Sequence, residues 1–186
     1  MDKKHASIEL YSPGIIIFDP LVLDGFLVEN DVIGSNVFNA FLEDEVLGRA
    51  AIDEGILIPV YQIPEDEYSV LIDGEALGEK NRVGLKFDYP GISLEVSSGI
   101  VVVADLNALT DWDSDFFKNY KANYQGRLPN SDYLEVASGL YSVTVSGYVG
   151  LQSPLKYRGY GLTFFPTVRF KKSDQKSAVD DRDFTL

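Results

Sequence analysis

The sequence predicts a mainly β fold, namely an antiparallel β-sandwich with one main helix and a short helical insertion. Residues 140–147 alternate between apolar and small hydroxyl side chains, with Tyr141, Val143 and Val145 on one face, which is typical of a half-buried strand. Other short runs of β-branched and aromatic residues recur between glycine and proline turn signals. Because strands and helices do not alternate regularly, a parallel α/β fold is disfavoured. The alternative is an open antiparallel sheet packed by a helix, in the α+β class.

The N-terminal segment contains two predicted strands, over residues 8–11 and 15–18. Ser12-Pro13-Gly14 separates them and has turn chemistry, because proline presets one backbone dihedral and glycine accepts unusual ones. Residues 21–28 follow Asp19-Pro20 and are assigned to another strand or to an irregular crossing.

The main helix is predicted to begin after a cap at Ser35 or Asn36 and to end at Gly55. Six apolar residues recur at helical spacing within it, while the acidic residues fall mostly elsewhere. The apolar residues are Val37, Phe38, Phe41, Leu42, Val46 and Ala50. Gly48 weakens this segment as a helix by about 1 kcal/mol relative to alanine, so two shorter helices are the alternative.

The middle of the chain is predicted to be β. Five strands are expected, over residues 56–63, 68–72, 83–87, 92–97 and 100–105. Pro59 places the first of them at a sheet edge or an interruption, because proline cannot donate to a strand ladder. Ser98-Gly99 suits a two-residue turn, so the last two strands are expected to form a hairpin.

The chain then changes to a polar and aromatic insertion over residues 106–127, with a short helix predicted at residues 114–124. Residues 133–137 are expected to form a strand before the alternating one or an extension of it. The last predicted strand covers residues 160–165 and ends at Pro166.

A single β-rich domain is expected over residues 1–170, because a chain of 186 residues with 45% hydrophobic content supports one sizeable core. Residues 171–186 are charged and lack an apolar period, so they are expected to form a mobile tail. Deletion of everything after Lys172 is therefore expected to leave the melting temperature nearly unchanged.

Composition excludes several chemistries. The absence of cysteine rules out disulfides, thiolate metal sites and a cysteine nucleophile. His5 is the only histidine, which argues against a Ser-His-Asp triad and against a histidine zinc site. The glycine-rich phosphate motifs do not occur. No catalytic residue, cofactor or metal is predicted, and without an export signal or a long apolar run the expected location is the cytoplasm.

Asp111, Asp113 and Asp115 lie at alternate positions, as at the start of a calcium loop. Phe116 stands where that loop needs glycine, and Ala122 stands where it needs glutamate. An acidic helix N-terminus is the favoured interpretation, with Asp113 or Asp115 facing the helix dipole. The sequence leaves open whether these carboxylates bind a cation and whether the aromatic insertion is core or a ligand platform.

Net charge is −13 and is unevenly distributed. Residues 5–79 hold 16 acidic residues and one basic residue, Arg49, whereas residues 80–186 are nearly neutral. Such a surface repels nucleic acid and anionic membranes and attracts a cationic protein, although plain solubility is the simpler explanation. The predicted partner-binding residues are Glu43, Asp44, Glu45, Asp53, Glu54, Glu65, Asp66 and Glu67.

Three motifs follow one another along the chain. They are I-E-L-Y at residues 8–11 with I-F-D at 17–19, then G-I-S-L-E-V at 91–96, then S-G-L-Y-S-V-T-V at 138–145. In this order they resemble the competence protein J family, small acidic proteins that inhibit a partner nuclease. As an acidic, cysteine-free chain without catalytic motifs, it is also similar to immunity proteins that neutralise bacterial toxins. The resemblance assigns no contact residues.

The predicted function is a non-enzymatic acidic protein-binding domain, an inhibitor or immunity protein for a cationic partner such as a nuclease toxin. The alternative is a carbohydrate-binding or glycoside-processing β-sandwich that uses the insertion at residues 106–127. Ionic strength distinguishes the two, because salt slows electrostatically steered association and leaves a neutral sugar nearly unaffected.

Overall fold

The computed structural model describes residues 3–73, 84–124, 128–170 and 182–186. The strands within these residues are β1 His5–Glu9, β2 Gly14–Phe18, β3 Leu57–Tyr61, β4 Glu67–Ile72, β5 Leu85–Val96, β6 Ile100–Asp105, β7 Ser131–Glu135, β8 Gly139–Val149 and β9 Arg158–Thr167. The helices are α1 Pro20–Glu29, α2 Val37–Glu43, α3 Glu45–Asp53, α4 Ser114–Lys118 and α5 Tyr120–Asn123, and a 3-10 helix covers Leu106–Leu109. None of the helices in this part of the chain is both long and apolar enough to cross a membrane.

The strands form two sheets. The five-stranded sheet has the order β1-β4-β9-β8-β5, and the four-stranded sheet has the order β3-β2-β6-β7. The predicted mainly β class with helices is confirmed, in the open-sheet form given as the alternative. The pairing is not purely antiparallel, because β4 and β9 run parallel. A long connection that contains β5 to β8 joins these two strands, as a parallel pair requires.

The molecule has three layers, and the four-stranded sheet lies in the middle. Along β2 the side chains of Ile15 and Ile17 enter the core between the two sheets, whereas Ile16 and Phe18 enter a second core under the helices. Every residue of β2 is buried, which explains its continuous apolar sequence. The helices therefore cover one face of this sheet, and the five-stranded sheet covers the other.

The alternating strand predicted at residues 140–147 is confirmed as part of β8. Tyr141, Val143 and Val145 are buried in the core between the sheets, as the period of two requires. Residues 131–135 form a separate strand, β7, which pairs with β6 in the other sheet and does not extend β8.

The hairpin predicted across Ser98-Gly99 is wrong. β5 pairs with β8 in the five-stranded sheet, whereas β6 pairs with β2 and β7 in the four-stranded sheet, so the turn crosses between sheets. The backbone N–H groups of Ser97 and Ser98 donate to Asp19 Oδ2 at 2.8 and 2.7 Å, and Ser98 Oγ donates to the same oxygen at 2.7 Å. A buried carboxylate thus holds this turn, and short-range turn chemistry does not reveal it.

The assignment of residues 21–28 to a strand or crossing is also wrong, because they lie in helix α1. Asp19 caps this helix, with Oδ1 accepting hydrogen bonds from the N–H groups of Leu21 and Val22 at 2.8 and 3.2 Å. Pro20 occupies the first helical turn, where its missing N–H costs nothing. The helix is apolar on nearly every face, so its sequence lacks the amphipathic period that predicts a helix.

We expect Asp19→Asn to lower the free energy of unfolding by about 2–3 kcal/mol. The amide would keep one acceptor oxygen and turn its NH₂ group toward backbone donors, so either the helix cap or the turn loses its hydrogen bonds. Urea denaturation measures the change. Asp113→Asn, at an exposed helix cap, is the control and should cost less than about 1 kcal/mol. Equal small losses of unfolding free energy in the two variants would show that Asp19 does not join helix α1 to the turn at Ser97 and Ser98.

The main helix begins after Asn36, as predicted, and it consists of the two shorter pieces α2 and α3. The interruption lies at Asp44, which is extended and caps α3. Gly48 is inside α3 and does not interrupt it. A Cβ atom at Gly48 would lie 2.9 Å from the carbonyl oxygen of Phe41, so glycine permits the two helices to pack closely.

Two of the predicted middle strands are one element. Residues 85–96 form the single strand β5, with an irregularity between Tyr89 and Ile92 where Gly91 has φ +84°. Val83, the first residue of the predicted strand 83–87, lies outside the described residues. The prediction from Pro59 is confirmed, since β3 is an edge strand of its sheet.

The last strand continues through Pro166, which was predicted to end it. Pro166 lies opposite Tyr141 of β8, whereas the pairing of β9 with β4 stops at Leu162. Pro166 therefore faces a neighbouring strand on one side only, and this is a position that proline tolerates.

The expectation of an undocked tail fails for the last five residues. Residues 171–181 lie outside the described part of the chain, but Phe184 is 1% exposed and belongs to the core between the sheets. Tyr160 donates its hydroxyl to the Phe184 carbonyl oxygen at 2.9 Å, and the ring of Tyr89 meets the Phe184 ring edge-on at 5.4 Å. The C-terminus is therefore a structural part of the domain.

Candidate functional site

The junction between α2 and α3 forms an exposed surface that we call the acidic corner, residues 42–46. Three carboxylates, Glu43, Asp44 and Glu45, lie between two apolar side chains, and all five residues are exposed. Leu42 is 62% exposed and Val46 is 80% exposed. This surface combines negative charge with apolar area.

Local hydrogen bonds hold the acidic corner in shape. Asp44 Oδ1 accepts hydrogen bonds from the N–H groups of Val46 and Leu47 at 3.1 and 3.0 Å, and this caps α3. Asn39 donates to the Glu43 carboxylate at 2.7 Å from one helical turn earlier. Glu45 lies in the first turn of α3, where the helix dipole favours a negative charge.

An apolar cavity of about 480 Å³ lies beside the acidic corner, between the helices and the four-stranded sheet. Its walls come from α2, α3, β2, β3 and the 3-10 helix. The apolar lining includes Ile16, Phe38, Phe41, Leu42, Leu57 and Leu109. Its polar side chains are those of Glu45, Arg49 and Tyr61.

The predicted acidic residues of the helical layer have no cationic partner among the described residues. The ion pairs there involve none of Glu43, Asp44, Glu45, Asp53 or Glu54. Asp53 and Glu54 lie at the C-terminal end of α3, where the helix dipole disfavours a negative charge and the last turn has no basic residue.

The second predicted cluster, Glu65 to Glu67, has a different environment. Arg158 pairs with Asp66 at 2.6 Å, and Lys156 pairs with Glu67 at 2.5 Å. The two bases lie about 90 positions away in sequence, so only the fold brings them to the cluster. Because this cluster adjoins β4 of the five-stranded sheet, it lies in a different layer from the acidic corner.

The lysines of the insertion at residues 106–127 are engaged by acidic groups of the same molecule. Lys118 pairs with Asp24 of α1 at 3.3 Å, and Lys121 pairs with Glu135 of β7. The hydrogen bond from Lys121 holds the pKa of the Glu135 carboxyl below its usual value. These cations therefore stabilise the attachment of the helices and leave the charge of the acidic corner unchanged.

The aromatic insertion is part of the core under the helices. Trp112, Phe117 and Tyr120 are buried, and the rings of Trp112 and Phe117 stack with centroids 4.8 Å apart. Tyr120 donates its hydroxyl to Ser131 Oγ at 2.9 Å, and burial raises its pKa. Trp112, Phe117 and Tyr120 therefore pack against the four-stranded sheet and are not exposed for contact with a sugar ring.

Two of the three aspartates of the insertion match the helix N-terminus interpretation. Asp113 caps α4 by accepting a hydrogen bond from the Phe116 N–H group at 2.9 Å, and Asp115 lies in the first turn of that helix. Within the described ranges, no group of three or more potential metal ligands lies close enough together to hold a metal ion.

Sequence periodicity missed the two apolar residues of the acidic corner. Leu42 and Val46 match the helical spacing of core residues, but the helix is interrupted at Asp44, so this spacing does not continue from α2 into α3. The signal that could have revealed this is the Asn36 cap followed by a second capping residue, Asp44, eight positions later.

These features define a mainly β protein with two open sheets and a helical layer that carries an acidic and apolar surface. No family model matches the sequence, and no curated protein matches it. A solved structure similar to this chain is ComJ from Bacillus subtilis, an inhibitor of the DNA-degrading activity of NucA. The match has a TM-score of 0.46 and 10% identity, and it covers 90% of this chain and 98% of ComJ. This match agrees with the resemblance that the order of the sequence motifs predicts.

Proposed function

We propose that this chain is a non-enzymatic acidic protein-binding domain, an inhibitor or immunity protein for a cationic partner such as a nuclease toxin. The observation that carries the proposal is the acidic corner, where carboxylates without described cationic partners lie beside exposed Leu42 and Val46. A cytoplasmic location and a protein ligand, without nucleic acid or membrane, belong to the same proposal.

Solubility alone does not account for this combination. Carboxylates keep a protein soluble wherever they are exposed, but apolar side chains such as Leu42 and Val46 reduce solubility. Exposed apolar area rimmed by polar groups is typical of protein interaction surfaces. A partner that buries this surface would gain from the apolar contacts, while the carboxylates would attract its basic groups.

A nuclease is a suitable partner because its substrate cleft must attract phosphates. Such a cleft is cationic, and carboxylates presented to it take the place of the phosphate charges. The acidic corner is the primary contact in this proposal. Asp53 and Glu54 extend it along α3, and the cluster from Glu65 to Glu67 makes a smaller contribution because two of its carboxylates are already paired.

Two double variants with the same change in net charge test the proposal. Glu43→Gln with Glu45→Gln should slow association with the partner about tenfold at low ionic strength and flatten its salt dependence. Asp66→Asn with Glu67→Gln should change the rate less, because these carboxylates adjoin β4 in a different layer from the acidic corner, away from the primary contact. The partner is captured from a lysate of the cell that encodes the protein, and its association kinetics are measured at low and high salt.

The unfolding midpoint of each double variant must match that of the wild type, which keeps folding and binding effects apart. A captured nuclease should also lose its DNA-cleaving activity when the wild-type protein is added. Wild-type association rates and salt dependence in both variants would contradict the proposal, because the acidic surface would then take no part in recognition.

A further inference from the structure

We infer that the cavity beside the acidic corner receives an apolar side chain of the partner, carried on a positively charged segment. This inference rests on the proposed function and specifies how the partner is recognised. The carboxylates of residues 43–45 would contact basic groups of the segment, and the cavity would take its apolar anchor.

The size and lining of the cavity support an apolar occupant. Its volume of about 480 Å³ falls in the range of roughly 300–1,000 Å³ that is typical of ligand pockets. An inserted leucine or phenylalanine side chain would contact Phe38, Phe41 and Leu109 and would remove Leu42 from water.

Charge determines what kind of segment carries the anchor. Glu43, Asp44 and Glu45 adjoin Leu42 in the chain, and Glu45 and Arg49 both line the cavity, so the charged groups at or next to it are three carboxylates and one guanidinium. A second copy of this chain would place its own acidic surface against these carboxylates, and a net charge of −13 makes such self-association unfavourable. A basic segment is complementary to this environment and is therefore the proposed occupant.

Two short synthetic peptides of equal positive charge serve as probes. One forms an amphipathic helix with lysines and leucines, and the other has serine in place of each leucine. Fluorescence anisotropy measures the Kd of each peptide for the wild-type protein. We expect the leucine peptide to bind about tenfold tighter or more, since burial of one apolar side chain changes the equilibrium by this amount.

Three variants locate the binding site. Leu42→Ser should remove most of the preference for the leucine peptide. Val28→Ser changes an apolar residue of α1 that is 69% exposed and does not line the cavity, so it should keep the preference. Glu43→Gln with Glu45→Gln should weaken both peptides by a similar factor.

Several results would overturn the inference. Equal Kd values of the two peptides for the wild type would show that charge alone governs binding, while a loss of affinity in the Glu43 and Glu45 variant would still support the proposed function. A preference that persists in Leu42→Ser would place the apolar contact elsewhere. A dimer in sedimentation equilibrium that Leu42→Ser dissociates would assign the cavity to a second copy of the chain.

Discussion

Val143→Asp is expected to unfold the domain, with a loss of about 5 kcal/mol or more in the free energy of unfolding. Val143 is fully buried in the core between the two sheets, on the same face of β8 as Tyr141 and Val145. An aspartate there has no described cation beside it and would be buried either charged and unpaired or protonated and poorly hydrogen-bonded. Circular dichroism and urea denaturation measure the loss.

Thr144→Asp is the matched control on the opposite face of the same strand. Thr144 is half-buried and lines a shallow cavity together with Asp73 and Asp88. Repulsion from these carboxylates should limit the cost to about 1 kcal/mol, and it should diminish at high salt. If the two variants unfold at the same urea concentration, the assignment of the two faces of β8 is incorrect.

Phe184→Ala is expected to lower the free energy of unfolding by about 3–5 kcal/mol. The Phe184 ring is buried in the core between the sheets, where it contacts the rings of Phe87 and Tyr89 edge-on at 6.0 and 5.4 Å. Its removal leaves a cavity next to Tyr160, whose hydroxyl bonds the Phe184 carbonyl group. The urea midpoint measures this loss.

Thr185→Ala is the control for the neighbouring exposed position and should change stability by less than about 0.5 kcal/mol. Deletion of residues 173–186 should destabilise the domain at least as much as Phe184→Ala, which reverses the expectation drawn from the charge of this segment. An unchanged melting temperature in both the deletion and Phe184→Ala would show that the C-terminus does not dock in solution.

The acidic residues at the two ends of α3 differ in their effect on its stability. Asp44 and Glu45 are favourable for α3 because they lie at its N-terminal end, where a cap and a negative charge stabilise a helix. Asp53 and Glu54 at the other end oppose the helix dipole. A contribution of Asp53 and Glu54 to binding would offset the stability that they cost α3. Association kinetics of the double variant Asp53→Asn with Glu54→Gln would measure that contribution.

The sequence by itself determined the elements whose signals are local. A few consecutive residues display the period that predicts β8. Local backbone preferences likewise predict the Asn36 cap, the two-helix alternative and the edge position of Pro59. The uneven charge is likewise a property of the chain alone. That residues 5–79 carry a binding surface stays a prediction drawn from this charge.

The tertiary structure decided what depends on residues distant in sequence. β5 and β6 cross between sheets because they pair with different strands, and the Asp19 carboxylate holds the turn between them from 78 and 79 positions away. Phe184 docks because Phe87, Tyr89 and Tyr160 form its pocket, and no periodic pattern surrounds it in the chain. Long-range contacts of this kind leave no local signature in the sequence.

Contacts with residues distant in sequence also distinguish the two acidic clusters, Glu43 to Glu45 and Glu65 to Glu67, which look alike in the sequence. Lys156 and Arg158 pair with Glu67 and Asp66, whereas Glu43, Asp44 and Glu45 form no ion pair with a described residue. Composition predicts that negative charge is present, but only the packing of distant strands and helices decides which carboxylates are neutralised. The cavity beside Leu42 exists for this reason as well, since its walls come from five elements spread between Ile16 and Leu109.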